Sequence, residues 1–363
     1  MKTSDIYALS IEQTTKLIAT GGHEQTVLVQ GHMGTGKSSI IKALANQLPQ
    51  HTPCYFDCTT KMLGDITIPK LKALDGQDYV RFATNEELGV HLDKPIVLMI
   101  DEFGKAQPSV QKSLLRLMLE RKIGSYTLHP DSIVFATTNL ATEGVGDLLP
   151  AHACNRITTI QMRKPSHMEW IEWGIANGID HSLLGWVKDN PQVMQSFTEV
   201  KDPDQNPYIF HPQAQRAAFV TPRSLEKASS WIQKRSVLDD TTVTASLMGT
   251  IGERGAMDLM AFVSLADQLP TAQQIKDSPE TAPIPTSASA VCMVVYRVLT
   301  SVDRSWINSW MKYLLRLDKE AQGLFANGVR AKNYPKDKLA IVASDPLYTQ
   351  WAIDNAYMFT ADK

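Results

Sequence analysis

The sequence contains few cysteines, little net charge and no long uninterrupted apolar run. Four cysteines among 363 residues are too few and too scattered for a disulfide framework. Two of them, Cys54 and Cys58, lie close together in CYFDC, but a metal site would need further ligands nearby, so we interpret both as small apolar residues on a buried strand. A formal net charge of −2 provides no electrostatic signature of nucleic-acid binding, although a local basic patch could be concealed within a neutral total. We therefore predict no nucleic-acid partner.

The sequence also has no recognisable membrane or export segment. Its longest apolar stretch, AVCMVVYRVLTSV from Ala290, is interrupted by Arg297 and is too short for a bilayer span. The N-terminal MKTSDIYALSIEQ has neither the apolar core nor the small-residue cleavage site of a signal peptide. We therefore expect no membrane association and a cytoplasmic location.

What the sequence does contain is the alternation typical of an α/β domain. Hydrophobic residues make up 43% and charged residues 20% of the chain, as in globular proteins, and its length predicts about two domains. SIIKALANQL and QKSLLRLMLERK have helical spacing. Five apolar runs are predicted as strands, namely TVLVQ (26–30), CYFDC (54–58), IVLMID (96–101), SIVFATTN (132–139) and ITTIQM (157–162). Apolar strands separated by helices predict a parallel sheet with helices on both faces.

Residues 64–84 depart from this alternation. Two runs of alternating character, ITIPKLKAL and YVRFAT, flank Asp75-Gly76, and Asp-Gly in this context is typical of a hairpin turn. Pro69 lacks a backbone donor and limits where the first run can pair. The pattern predicts a β-hairpin inserted into the sheet domain.

Beyond residue 165 the strand signal fades and helical spacing dominates. SHMEWIEWGIANGI, RSLEKASSWIQKR and RGAMDLMAFVSLADQLP are predicted helices. Residues 270–290 concentrate Pro, Ser, Thr and Ala and are predicted to form a linker or a long exposed loop. Trp306, Trp310, Leu314 and Leu317 recur at helical spacing, a stripe that we interpret as core packing rather than as a partner groove.

A phosphate-binding loop follows the first predicted strand. GHMGTGKS satisfies G-x-x-x-x-G-K-[ST], with a strand before it and a helix after it. Glycines allow backbone N–H groups to point at phosphates, to which the helix adds the positive end of its dipole. Lys37 is expected to reach the β- and γ-phosphates of ATP, and Ser38 to ligate Mg²⁺. We predict nucleotide binding by Gly31, His32, Met33, Gly34, Thr35, Gly36, Lys37, Ser38 and Ser39, together with Asp101.

Two carboxylates end the third predicted strand, in IVLMIDEFGKA. In open α/β sheets the ligand lies at the carboxyl ends of the strands, so Asp101 and Glu102 are expected beside the phosphates. Asp101 would hold Mg²⁺ through water, and Glu102 would polarise the attacking water as general base. Acidic residues often close strands at turns, but the preceding phosphate loop makes this pair a strong signal.

Three further polar residues are candidates for the catalytic site. Asn139 ends the strand in SIVFATTNL, and its amide could bridge the γ-phosphate and the attacking water because it both donates and accepts hydrogen bonds. The other two are Arg156 in HACNRI and Arg223 in VTPRSLEKA. Guanidinium groups stabilise the negative charge of the transition state in phosphoryl transfer. A lone arginine is more often a surface residue, so both assignments depend on the other motifs.

Taken in order, these motifs resemble those of the AAA+ ATPases. Within that family the sequence is similar to the MoxR-like branch in DEFGKAQPSVQKSLLRLMLERKIG, after the Asp-Glu pair, and in ATTNLATEGVGDLLPAHACNRI, a sensor strand followed by an arginine. The predicted hairpin resembles the helix-2 insert of that group, and GSYTLHPDSIVF resembles its pre-sensor hairpin. The resemblance covers about residues 1–265, and it departs from a typical phosphate loop only at the variable positions His32 and Met33.

The resemblance implies a homo-oligomeric ring, usually a hexamer, that hydrolyses ATP to remodel, assemble or activate a protein client, often one with a von Willebrand factor A domain. Arg156 resembles the arginine finger that acts on nucleotide held by a neighbouring subunit, and Arg223 resembles sensor 2, which contacts the γ-phosphate in cis. The implied organisation is an AAA+ α/β domain (1–165), a helical lid with sensor 2 (166–269), the linker (270–290) and a helical C-terminal region (291–363).

Two other functions use the same loop. A phosphotransferase would pass the γ-phosphoryl group to a small molecule, but it would leave Asn139, Arg156 and Arg223 unexplained. A nucleic-acid motor would need a basic element interleaved with aromatic residues, and none is visible in the sequence. A GTP switch is disfavoured because no Asn-Lys-x-Asp segment is present.

Overall fold

A computed structural model describes residues 7–75, 77–140 and 151–360. Three parts of the predictions fall outside these ranges, namely the first six residues of the N-terminal segment, Gly76 of the predicted turn, and ATEGVGDLLP within the sensor-like stretch. The described chain divides into two compact units, Met1–Lys164 and Pro165–Lys363.

The first unit contains a five-stranded parallel sheet, as predicted. The sheet strands are β1 (Val27–Gln30), β2 (Thr52–Asp57), β5 (Ile96–Asp101), β8 (Ile133–Thr138) and β9 (Thr158–Gln161). Their order is β2-β5-β8-β1-β9, and all four neighbouring pairs are parallel. Every residue of β5 and β8 is buried, which explains why the sequences of these strands are continuous apolar runs.

Helices cover both faces of this sheet. Successive residues of a strand point to opposite faces, so Leu98 belongs to one apolar cluster and Met99 to another. The helix Pro108–Glu120 contributes to the first cluster, and the helices Ile11–Gly21 and Ile40–Gln47 contribute to the second. A further short helix spans Ala151–Cys154. Cys54 and Cys58 are buried in the first cluster, as small apolar residues would be.

Two antiparallel hairpins accompany the sheet. β3 (Thr67–Leu74) pairs with β4 (Gln77–Thr84) along their whole length, within the range predicted for the insert, and Asp75 at the turn has a left-handed φ of 52°. β6 (Lys122–Ile123) pairs with β7 (Tyr126–Thr127). Gly124, with φ of 56°, lies at this second turn. A Cβ there would come within 3.1 Å of Phe82 Cβ, so glycine permits the two hairpins to touch.

The second unit is helical and has one apolar core that extends from Trp170 to Met358. The predicted Trp/Leu stripe lies within this core, where Trp310 and Leu314 have no exposed surface. None of the described helices has the length and apolarity needed to cross a bilayer. The α-helices of this unit are His167–Ala176, His181–Asp189, Pro222–Ile232, Asp240–Ile251, Glu253–Ala266, Ala272–Asp277, Ala288–Ser301, Ile307–Leu314, Lys319–Arg330, Lys336–Ala343, Pro346–Asp354 and Tyr357–Thr360.

Residues 270–290, predicted as a linker or a long exposed loop, are mostly exposed but are anchored to the second unit at several points. The segment includes the helix Ala272–Asp277, whose Ile275 is completely buried. Its loop carbonyls receive hydrogen bonds from neighbouring side chains: Tyr313 donates to Pro283 at 2.7 Å, and Arg316 donates to Ala282 at 3.0 Å. A composition typical of linkers is therefore compatible with an ordered loop, because its backbone polar groups have partners.

Candidate active site

The phosphate-binding loop connects the end of β1 to the helix Ile40–Gln47. Gly34 and Gly36 have φ of 72° and 98°, a left-handed backbone that favours glycine. A short 3₁₀ turn, Lys37–Ser39, leads into the helix. The Thr35 hydroxyl donates to the His32 carbonyl at 3.0 Å, which closes the loop on itself. The local sequence therefore produces the tight loop that the motif predicts.

The ammonium group of Lys37 lies inside this loop. The residue is 6% exposed, and its Nζ donates to the carbonyls of Gly31 at 2.7 Å and His32 at 3.0 Å. It also donates to Asn139 Oδ1 at 2.8 Å. An ammonium has three N–H donors and no acceptor, so these three contacts satisfy it. A phosphate that binds here would accept hydrogen bonds from N–H groups of Lys37 that now donate to protein oxygens.

Asn139 reaches Lys37 because β8 is the neighbour of β1. Thr138, the last residue of β8, pairs with Gln30, and its carbonyl accepts from the Gly31 N–H at 3.2 Å. Asn139 follows directly and is 2% exposed. Two residues that are 102 positions apart in the chain are thus hydrogen-bonded at one edge of the sheet, the edge that the sequence predicted.

Asp101 ends β5, the strand on the other side of β8. It is 6% exposed, and its Oδ2 accepts from the Tyr55 hydroxyl at 2.8 Å. Its Oδ1 accepts from the Thr137 hydroxyl and from the Glu102 N–H at 3.1 Å. Tyr55 and Thr137 were not predicted, because their position beside Asp101 depends on the order of three strands that no local pattern reveals.

Glu102 adopts an unusual backbone conformation. Its φ is 53° and its ψ 36°, a left-handed region that costs a residue with a side chain about 1–2 kcal/mol. Its Oε2 lies 3.1 Å from Lys105 Nζ. Such strain concentrates at functional sites because the surrounding structure maintains it. The conformation and the nearby cation distinguish Glu102 from an ordinary acidic residue at a strand end.

Cys58 lies near these carboxylates without the properties of a reactive thiol. Burial, followed by the charges of Asp57, Asp101 and Glu102, raises the pKa of the Cys58 thiol to about 12. A nucleophilic or metal-binding cysteine acts as the thiolate, so this cysteine stays protonated at neutral pH. No group of three or more His, Cys, Asp or Glu side chains suited to a metal ion occurs within residues 7–75, 77–140 and 151–360.

The two predicted arginines belong to different units. Arg156 belongs to the first unit, where it is exposed at the turn after Ala151–Cys154. Arg223 belongs to the second unit, where it is exposed near the start of the helix Pro222–Ile232. The first unit therefore brings together Lys37, Asp101, Glu102 and Asn139, whereas the roles of the two arginines stay predictions.

This fold and this loop define a nucleotide-binding α/β unit of the P-loop class. Residues 26–151 match the family model of the AAA domain (dynein-related subfamily). This part of the chain is therefore similar to an AAA domain, and its parallel sheet has helices on both sides. These comparisons do not identify the MoxR-like branch, so membership of that branch stays a prediction.

Solved structures offer only weak similarity. The Holliday junction branch migration motor RuvB of Thermotoga maritima is 16% identical, with 84% of this chain and 86% of that chain covered and a TM-score of 0.35. A protein of Cytophaga hutchinsonii described only as an inferred ATPase is 13% identical, with 89% and 82% covered and a TM-score of 0.32. No curated protein matches this chain.

Proposed function

We propose that this protein is an AAA+ ATPase that assembles into a homo-oligomeric ring and uses ATP hydrolysis to remodel, assemble or activate a protein partner. The observation that carries the proposal is the hydrogen bond between Lys37 and Asn139 at 2.8 Å, at the same sheet edge as Asp101 and Glu102. A phosphate-binding lysine, a carboxylate pair and a polar amide are the groups that nucleotide hydrolysis requires in one place.

The chemistry follows from these groups. The N–H groups of the loop and the ammonium of Lys37 bind the phosphates of ATP. The Ser38 hydroxyl and the Asp101 carboxylate are the oxygen donors that Mg²⁺ prefers, and Asp101 keeps lone pairs beyond the hydrogen bonds that it accepts. Mg²⁺ held there would neutralise charge on the β- and γ-phosphates. As the oxygen of the attacking water bonds to the γ-phosphorus, Glu102 accepts a proton from that water. The bond from the γ-phosphorus to the bridging oxygen breaks, and ADP leaves with that oxygen.

Asn139 and Lys37 are expected to change partners during this cycle. When a phosphate takes a donor from Lys37, the Asn139 amide is released to contact the γ-phosphate and the attacking water. Their present hydrogen bond therefore supports a site that responds to the γ-phosphate rather than a passive nucleotide store.

Arg156 and the family resemblance both support an oligomeric ring. The guanidinium of Arg156 is exposed on the AAA domain, as expected for an arginine that completes the site of a neighbouring subunit. AAA+ ATPases typically form oligomeric rings. The MoxR-like resemblance supports a protein client, including one with a von Willebrand factor A domain. Arg223, as sensor 2, would contact the γ-phosphate in cis.

Measurement of free phosphate released from ATP tests the hydrolytic proposal. Glu102→Gln should abolish phosphate release while retaining ATP binding, because the amide cannot accept the proton. Glu120→Gln, the same change at an exposed ion pair with Arg116, is the matched control and should leave release unchanged. Unaltered turnover in Glu102→Gln would refute the assignment of the base, and transfer of labelled phosphate to another molecule would identify a phosphotransferase.

A subunit-mixing experiment tests the shared site. Arg156→Ala and Lys37→Ala should each abolish hydrolysis, but a mixture should recover part of the activity because some interfaces then pair an intact loop with an intact arginine. Only Lys37→Ala should lose ATP binding. Absence of any recovery on mixing would contradict a site shared between subunits.

A further inference from the structure

The hairpin of β3 and β4 collects positive charge on one face. Residues directly opposite each other in an antiparallel pair project from the same face, and successive pairs alternate between faces. The register pairs Lys70 with Arg81 and Lys72 with Tyr79. These two pairs are separated by one pair along the hairpin, so the three cations and the aromatic ring share a face.

The opposite face has a different character. The intervening pairs join Pro69 to Phe82 and Leu71 to Val80, which are apolar. Asp78, the acidic residue of β4, pairs with Ala73 and belongs to this apolar set. The register therefore separates the cations of the hairpin from its strand carboxylate.

The basic face holds like charges in an unfavourable arrangement. Lys70 and Arg81 are directly opposite, and like charges in such a position destabilise an antiparallel pair. A hairpin of two strands is only marginally stable to begin with. A polyanion bound across this face would remove the repulsion, which gives the arrangement a physical reason.

Aromatic rings lie beside these cations. Tyr79 is 44% exposed, so its side chain is accessible to a ligand. The Arg81 guanidinium lies over the ring of Tyr126, 5.7 Å from its centroid, which holds the cation next to the second hairpin. Exposed rings combined with lysine and arginine are typical of surfaces that bind single-stranded nucleic acid.

We propose that this basic face binds single-stranded nucleic acid, with Lys70, Lys72 and Arg81 on phosphates and Tyr79 stacked on a base. Residues two apart on a strand are about 7 Å apart, a distance comparable with that between successive phosphates of one strand. An acidic polypeptide would satisfy the cations but offers no base for the ring. Arg81 joins the lysines through the hairpin register, which the predicted turn at Asp75-Gly76 implies and the strand pairing in the structure establishes.

Charge reversal of the two lysines tests this surface without unfolding the hairpin. Lys70→Glu places a carboxylate opposite Arg81, so the double variant Lys70→Glu/Lys72→Glu replaces a cross-strand repulsion with an attraction. Binding of a fluorescent oligothymidylate to the full chain would be followed by anisotropy in the absence of ATP. The variant should lose affinity by about tenfold or more, and the slope of log affinity against log salt should become shallower by about 1.4.

A second pair of variants tests the ring. Tyr79→Ala should weaken binding about tenfold with an unchanged salt slope, because stacking is lost and no phosphate contact is removed. Val80→Ala, on the other face at a comparably exposed position (51% exposed), should bind as the unmodified protein does. Lys16→Glu/Lys94→Glu, at two exposed lysines of the same unit, controls for net charge and should retain most of the affinity.

Four results would overturn the proposal. They are the absence of oligothymidylate binding, equal affinity in the Lys70→Glu/Lys72→Glu variant, tighter binding of a duplex of the same length, and displacement of the oligonucleotide by polyglutamate at equal charge concentration. The last result would reassign the surface to acidic polypeptides. Because ATP is absent from the assay, failure here leaves the proposed ATPase function untouched.

Discussion

The hydrogen bond between Tyr55 and Asp101 provides a test of how the candidate site is held together. Tyr55→Phe deletes only the hydroxyl that donates to Asp101 Oδ2 at 2.8 Å and keeps the ring. The Thr137 hydroxyl and the Glu102 N–H continue to donate to the other carboxylate oxygen, Oδ1. Because Asp101 is 6% exposed, water replaces the missing donor poorly.

The expected magnitude follows from the charge and exposure of the two partners. A hydrogen bond to a charged group contributes about 1.5–3 kcal/mol to stability. Tyr55 is 46% exposed, so solvent weakens the contribution, and we expect a loss of about 1–2 kcal/mol. In a double-mutant cycle with Asp101→Asn, the coupling free energy should be about 1 kcal/mol.

The assay must report on the first unit alone. All seven tryptophans occur between Trp170 and Trp351, so tryptophan fluorescence follows the second unit. Hydrogen exchange of the β5 amides reports the opening free energy of the sheet and should show the loss, with tryptophan fluorescence unchanged. Tyr79→Phe, the same change at a similarly exposed tyrosine (44%), is the control. Equal β5 protection in Tyr55→Phe and this control would refute the reasoning.

Three further predictions concern backbone strain, pH and packing. Glu102→Gly should abolish phosphate release without lowering the hydrogen-exchange protection of the β5 amides. Relief of the left-handed strain, about 1–2 kcal/mol, should offset the greater flexibility of glycine. A clear loss of protection would contradict backbone strain at φ of 53°. Burial lowers the pKa of His181 in the folded state, so this residue should not reduce the stability of the second unit above pH of about 6.5. Stability should be lost as the pH falls from there through the depressed folded pKa, because the unfolded state then binds the proton more readily. Urea unfolding followed by tryptophan fluorescence would show this loss, and an equal pH dependence in His181→Gln would contradict it. A Cβ at Gly328 would lie 2.3 Å from Leu299 Cδ1, so Gly328→Ala should cost about 1–3 kcal/mol. Gly323→Ala, on the same helix with no atom within 4 Å of the new Cβ, should stabilise by about 0.5–1 kcal/mol, and similar urea midpoints for the two variants would contradict the packing argument.

Local patterns were sufficient to predict the five sheet strands, the inserted hairpin and two helices of the first unit, whereas the helices Ile11–Gly21 and Ala151–Cys154 were not predicted. A strand buried on both faces consists of apolar residues throughout, so β5 and β8 were recognisable from composition alone. The phosphate loop was recognisable because its glycines satisfy a backbone requirement of the eight residues themselves. Lys37, Asp101, Glu102 and Asn139 could be assigned to one edge, since parallel strands end together.

Composition does not reveal individual tertiary contacts. Residues 270–290 were predicted as a linker or a long exposed loop and are mostly exposed, but Ile275 is buried and Tyr313 and Arg316 donate to carbonyls of the segment. The basic face of the β3–β4 hairpin was not predicted, although the predicted turn at Asp75-Gly76 was sufficient to fix the strand register on which this face depends.

The sequence by itself determined that the chain has an α/β phosphate-binding unit followed by helices, because loop conformation and hydrophobic periodicity are local properties. Only the tertiary structure decided that Asn139 contacts Lys37 and that Tyr55 and Thr137 hold Asp101. Those contacts depend on strand order and register, which arise from packing between segments far apart in the chain.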